Sequence, residues 1–154
     1  MIRKYYKMGF LALLTLINVT AGAQDDEAAV KATVNQLFEG MKKRDTSMIR
    51  ASFAPAAYLQ TVVKAKDGSV LIRSEILDSF LASVAKPRPE LLDERIRFET
   101  VKVDGDLAIA WTPYQFYFGE NFSHCGVNSF QLVRLNGNWK IQYLIDTRRK
   151  QNCQ

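Results

Sequence analysis

The stretch from Arg95 to Arg149 constrains this chain most: it is a run of β-rich segments punctuated by tight-turn signals. Asp104-Gly105 and Asn136-Gly137 are Asx-Gly pairs between β-branched and aromatic flanks. Such pairs mark two-residue hairpins, because a type I′ turn needs φ > 0 at both central positions. Gly119-Glu120-Asn121 breaks the run a third time. The spacing predicts four antiparallel strands, near 95–103, 106–118, 122–135 and 138–148.

Two-residue loops fix register, and register decides which side chains share a face. With Asn136-Gly137 as the loop, Phe130 falls opposite Tyr143, Leu132 opposite Ile141 and Asn128 opposite Ile145. With Glu120-Asn121 as the loop before it, Trp111 falls opposite Phe130, Ile109 opposite Leu132 and Tyr117 opposite His124. With Asp104-Gly105 as the first, Phe98 meets Trp111. One face then holds Phe98, Leu107, Ile109, Trp111, Gln115, Tyr117, His124, Asn128, Phe130, Leu132, Ile141, Tyr143 and Ile145. It is apolar at one end and polar at the other. The opposite face holds Ala108, Ala110, Tyr114, Phe116, Phe118, Val127, Val133 and Leu144, mixed with Lys140, Gln142 and Asp146. A solvated sheet face is more polar than that. The expectation is a homodimer that covers this outer face.

Residues 1–23 read as a secretory signal. Arg3, Lys4 and Lys7 form a basic start, Met8 to Val19 a short apolar core, and Ala21-Gly22-Ala23 a small-x-small cleavage site. The apolar run is about a dozen residues, against the ~20 that span a bilayer. A secreted or periplasmic protein, free of the membrane once the signal is removed, is the expectation. Removing 23 of the 154 residues leaves 131, with 18 basic against 16 acidic side chains, so one domain over 24–154 with a net charge of +2. No basic cluster lies among aromatics, which argues against nucleic acid as a partner.

Asp25 and Asp26 read as caps of a helix whose stripe is Val30, Val34, Leu37, Phe38 and Met41. Asp45 caps a second, short helix ending near Ala54-Pro55. Tyr58 to Lys64 reads as a strand, Asp67-Gly68 as its turn and Ser69 to Ile72 as the return. Ser74 caps a third helix with the stripe Ile76, Leu77, Phe80, Leu81 and Val84, ended by Pro87 and Pro89. Helices first and an antiparallel meander last is an α+β pattern. The helical stripes need the inner sheet face, and a curved sheet over a long helix makes a cone.

This order of elements resembles the nuclear transport factor 2-like fold, the cystatin-like α+β cone. The segments Ser123-His124-Cys125-Gly126-Val127-Asn128-Ser129-Phe130 and Trp139-Lys140-Ile141 through Asp146-Thr147-Arg148-Arg149 are similar to the secreted bacterial branch known as "putative lumazine-binding" or SnoaL-like proteins. The resemblance covers nearly all of residues 24–154 and implies the fold. It leaves function among isomerases, dehydratases, cyclases and non-catalytic binding domains. Ketosteroid isomerase relatives use a pocket Asp as base, with a Tyr and a protonated Asp as oxyanion donors. The registers above put no Asp on the inner face: Asp146 falls outside, as does Arg148. Dehydratase relatives use a His/Asp pair, and here the one histidine has no Asp placed beside it.

The candidate ligand-binding residues are Trp111, Gln115, Tyr117, His124, Asn128 and Tyr143. His124 titrates near neutrality and sits by register at the cone mouth, as a base or a ligand hydrogen-bonder. Tyr117 and Tyr143 offer hydroxyls, and Trp111 offers a platform for a flat ring. Gln115 and Asn128 are inward polar groups that need partners. Each also has a bland reading, as core or as a strand-end polar group. Cys125 and Cys153, an even pair in an oxidising compartment, point to a disulfide, for which the tail after Arg149 must fold back. Neither a metal-ligand cluster nor a phosphate loop is present, so no cofactor is expected. Three functions fit. One is a binder of a small apolar or aromatic molecule. The second is an isomerase or cyclase with His124 as base and Tyr117 as donor. The third is a partner-binding dimer whose cone its own side chains fill.

Overall fold

The computed structural model describes residues 20–153, with side chains from Asp25 onward. The secretory-signal reading lies on residues 1–23 and so falls almost wholly outside them. The elements run α1 (Thr20–Lys43), α2 (Thr46–Ser52), β1 (Phe53–Lys64), β2 (Val70–Glu75), α3 (Leu77–Ala85), β3 (Leu92–Ile96), β4 (Thr100–Asp104), β5 (Leu107–Phe118), β6 (Asn121–Leu135) and β7 (Asn138–Thr147). The strands form one curved sheet in the order β2-β1-β7-β6-β5-β3, with β4 also paired to β5.

The long helix is positioned by its apolar stripe. Val30, Val34, Leu37, Phe38 and Met41 are all buried, and the Phe38 ring meets Phe130 of β6 edge-on at 6.2 Å. Asp45 caps α2 by accepting from the Met48 N–H at 2.9 Å. The two helices touch closely: a Cβ added at Gly40 would lie 2.7 Å from Ile49 Cγ1. Three local expectations are corrected. Asp25 and Asp26 lie inside α1, and Asp26 pairs with Arg134 at 2.6 Å instead of capping. Ser74 belongs to β2, where its hydroxyl accepts from Gln60, and α3 starts after Ile76. β1 begins at Phe53 and runs parallel to β7, joining the N-terminal half to the last strand.

The predicted strand 95–103 is two strands. β3 and β4 pair with opposite ends of β5, and the Arg97 and Glu99 N–H groups keep contact between them by bonding to the carbonyls of Pro113 and Trp111. The turns explain the remaining differences. Asn136 (φ 50°) and Gly137 (φ 77°) form the expected turn with positive φ at both positions. The other two turns take their glycine first. Gly105 (φ 56°) opens a Gly105-Asp106 loop, and Gly119 (φ 64°) opens a Gly119-Glu120 loop between paired Phe118 and Asn121. A bulge at Ser123 then sets Phe116 opposite His124 and Ala110 opposite Phe130. That is one residue from the register expected for Glu120-Asn121, and one residue reverses every side chain of the strand. The inner face of β5 is therefore Ala108, Ala110, Thr112, Tyr114, Phe116 and Phe118. A second bulge, at Gln142, keeps Leu132 opposite Ile141 but pairs Gln131 with Tyr143 and Asn128 with Asp146. Beyond it the inner face of β7 is Leu144 and Asp146, and Tyr143 and Ile145 turn outward.

The C-terminal tail does fold back. Cys125 and Cys153 form a disulfide with Cα atoms 5.7 Å apart, and Cys125 and Arg149 exchange backbone hydrogen bonds of 2.8 and 2.9 Å. In the interior, Thr112 is fully buried, and its hydroxyl finds no partner among the described residues. Two stability changes are expected in urea titrations. Cys153→Ser lowers stability by roughly 2–4 kcal/mol relative to the oxidised parent, because a closed loop no longer restricts the unfolded chain. Thr112→Val raises it by about 1 kcal/mol, because the isostere removes an unsatisfied buried hydroxyl.

Candidate functional site

The helices cover the inner sheet face incompletely. Between α1, α3 and the sheet lies a cavity of about 280 Å³. Leu37, Phe38 and Met41 of α1, Phe80 and Val84 of α3, and Phe116, Phe118 and Leu144 of the sheet give it an apolar wall. Its polar floor comes from four strands: Glu94 of β3, Tyr114 of β5, His124 and Asn128 of β6, and Asp146 of β7, with Arg148 just beyond β7.

These groups are tied to one another. Asn128 Nδ2 donates to Glu94 Oε1 at 2.8 Å. Tyr114 Oη donates to the Thr147 carbonyl at 2.9 Å and lies 3.2 Å from Asp146 Oδ2. Arg148 Nε donates to the same Asp146 oxygen at 2.8 Å, and its Nη2 reaches Thr61 Oγ1 at 3.3 Å. His124 Nδ1 lies 3.0 Å from Ser123 Oγ, and its ring packs against Tyr114 and Phe116 with centroids 5.7 and 5.1 Å away. Gly126 lets this arrangement close. A Cβ there would lie 1.8 Å from the Thr147 carbonyl oxygen and 2.8 Å from the Tyr114 ring.

Burial sets the charge state of the floor. Glu94 lines the cavity, so the residue keeps some contact with solvent-sized space, but protein encloses its carboxyl group. That desolvation pushes its pKa up to about 7; the Asn128 hydrogen bond opposes the shift, the Asp146 carboxylate adds to it and Arg148 opposes it. Burial first, then the acidic charge of Glu94 and Asp146, raises the Tyr114 hydroxyl, which stays a proton donor. Burial, reinforced by Arg148, lowers His124 below its ordinary value and keeps the imidazole neutral. The cavity thus holds a carboxyl that titrates near neutrality, a neutral imidazole and the Asp146–Arg148 ion pair.

The structure brings together two of the six expected ligand-binding residues, His124 and Asn128. The other four are corrected to the outer face, for the register reason above. Trp111 is 45% exposed there. Tyr117 donates to Gln115 Oε1 at 3.0 Å and lies under the Arg95 guanidinium. Tyr143 donates to Gln60 Oε1 at 2.7 Å. Phe116 and Phe118, expected on a face covered by a second subunit, point into the cavity. Asp146 and Arg148, expected outside, are in it.

Glu94, Tyr114, Asp146 and Arg148 are the site residues that the strand reading missed. A signal existed for two of them. Glu94 alternates with Leu92 and Ile96, and Asp146 alternates with Leu144. An acidic residue at an inward position among apolar ones marks a built polar site.

A curved sheet wrapped on a long helix, with an apolar cavity and a polar floor, defines a nuclear transport factor 2-like domain, the cystatin-like fold. Residues 25–143 match the family described as Putative lumazine-binding, and the chain belongs to that family. Among solved structures, it is similar to a nuclear transport factor 2-like protein of Shewanella baltica at 18% identity, over 86% of this chain and 98% of that one, with a TM-score of 0.66. A cystatin-like domain of Nostoc punctiforme is 15% identical over 87% and 82% of the two chains, with a TM-score of 0.61. A protein of Streptomyces avermitilis described as a putative dehydratase of the same fold is 16% identical over 82% and 97%, with a TM-score of 0.61. At these identities the likeness is one of fold. No curated protein matches.

The Glu94 carboxyl makes stability depend on pH in a definite direction. Its ordinary value is 4.5 and its folded value about 7, so below 4.5 both states hold the proton and nothing is lost. As pH rises from 4.5 toward 7 the unfolded chain ionises first, and folding stability falls by up to roughly 3 kcal/mol. Glu94→Gln keeps an acceptor for Asn128 and removes the ionisation. It is expected to raise the melting temperature at pH 8 and to flatten the fall between pH 4.5 and 7; an unchanged pH profile counts against a buried Glu94 carboxyl. Gly126→Ala is expected to cost more than 2 kcal/mol by the same assay, because the blocking atom is backbone.

Proposed function

We propose that this protein is a secreted small-molecule-binding domain that encloses an apolar or aromatic ligand between its helices and its sheet. One observation carries the reading: the cavity of about 280 Å³ pairs an apolar wall with a few convergent polar groups. Ligand sites combine those two properties, and a packed core has neither the void nor the polar floor. The void also speaks against a cone filled by its own side chains. An exported location is supported by the basic start, apolar core and small-x-small site of residues 1–23. The Cys125–Cys153 disulfide supports it too, since such bonds persist in oxidising compartments.

The test is native mass spectrometry of the protein purified gently from its own compartment. A retained small molecule is expected, and Val84→Trp, which fills the cavity from α3, is expected to expel it. A bare polypeptide mass, together with no small-molecule probe that shifts the melting temperature of the parent but not of Val84→Trp, rules the reading out.

A second reading has its own observation. Glu94 titrates near neutrality in the same cavity as a neutral His124, and a carboxyl of that kind serves acid–base chemistry at physiological pH. In an isomerase- or cyclase-type enzyme of the SnoaL-like kind, His124 takes a proton and Glu94 returns one. Conversion of the captured molecule to a new mass, slowed at least 100-fold by either His124→Ala or Glu94→Gln, distinguishes this from simple binding.

A further inference from the structure

We propose that the ligand of this cavity is a small organic base: a ring-bearing apolar body with an amine or other N–H-donating nitrogen, held by Glu94 on the cavity floor. The inference rests on the ligand-site reading and specifies its chemistry.

The two guanidinium groups beside the cavity and the Asn128 and Tyr114 donors already serve the protein's own acceptors. Arg148 gives its Nε to Asp146 and its Nη2 to Thr61. Arg88 gives its Nη2 to the Ser83 carbonyl and its Nε to the Lys86 carbonyl, and its guanidinium lies 5.7 Å from the Phe118 ring centre. Asn128 donates to Glu94, and Tyr114 to the Thr147 carbonyl. His124 is held neutral, so it adds no charge that would attract an acid.

What the floor keeps in reserve is acceptor capacity. The hydrogen bonds that Glu94 makes among the described residues fall on Oε1, and those of Asp146 on Oδ2. Each carboxyl therefore keeps a second oxygen that none of these donors takes up, and both residues line the cavity. A bound carboxylate would meet three acidic residues, Glu75, Glu94 and Asp146, around a cavity of low dielectric. An alcohol would engage one oxygen and leave the charge problem unchanged. A nitrogen base supplies both the N–H donors and the positive charge that an enclosed carboxylate lacks. The body of the ligand follows from volume and lining. An apolar cavity of roughly 150 Å³ accommodates benzene, so about 280 Å³ suits a one- or two-ring body against Phe38, Phe80 and Phe116.

The experiment is isothermal titration at pH 8 with three matched probes, 4-phenylbutylamine, 4-phenylbutanol and 4-phenylbutyrate, on the parent protein and on Glu94→Gln. The expected result is a tenfold or greater preference of the parent for the amine over both others. Glu94→Gln is expected to erase that preference while still binding the alcohol. If the carboxylate binds as tightly as the amine, or if Glu94→Gln keeps the amine preference, the proposed ligand class is wrong and the cavity remains a ligand site. The ranking on the parent alone decides this if the variant does not fold. If none of the three probes binds the parent at millimolar concentration, the ligand-site reading falls, and this inference with it.

Discussion

The pairing of β6 with its two neighbours is the constraint on which the rest of the molecule depends. β6 is the central ribbon of the sheet, and its inward residues, His124, Asn128, Phe130 and Leu132, run from cavity to core along one face. Two bulges, at Ser123 on one side and Gln142 on the other, each add a single residue. Because side chains alternate in a strand, each addition decides which half of a neighbouring strand's side chains is buried. The bulge at Gln142 turns Asp146 and Leu144 inward. The Gly119 turn and the bulge at Ser123 together bring Tyr114, Phe116 and Phe118 in. Tyr114 and Asp146 on the cavity floor take their positions from these irregularities, whereas His124 and Asn128 belong to the inward face of β6 itself.

The polar floor is a costly construction that the surrounding packing sustains. A buried carboxyl without a charge partner is unfavourable, and Glu94 meets that cost by holding its proton to a higher pH. Asp146 takes the other route, a guanidinium partner and a phenol. The two acids therefore differ in their partners although they share one cavity. Gly126 is the backbone condition for the second arrangement, since any side chain there collides with the carbonyl that orients Tyr114.

The fold was legible in the sequence because its signals are long and mutually consistent. The stripe from Val30 to Met41 names a core helix, and Asn136-Gly137 names its hairpin. The α+β order follows from them. A third of the polar floor was legible too: His124 and Asn128 lie on the one strand whose inward face was assigned correctly. The remainder was not, because β5 carries apolar residues on both faces. Ile109 and Trp111 look as suited to a core as Ala110 and Phe116. The small Ala108 and Ala110 face the helix because it passes close above them, a packing fact that no alternation pattern contains. With the register of β5 undetermined by hydrophobicity, a one-residue choice of turn decided the face, and a bulge within a strand leaves little local mark in composition. Glu94 was lost for a simpler reason, since the strand was begun at 95, three residues after β3 starts at Leu92.

The parallel pairing of β1 with β7 carries a consequence for the order of assembly. Phe53 is registered against Ile141 and Val62 against Thr147, so the edge formed by β1 and β2 has no sheet to join until the end of the chain is available. Contacts of such sequence separation are slow to form, because the loop-closure entropy comes before any return. A polypeptide wired in this way completes its native topology only once β7 is available to pair with β1.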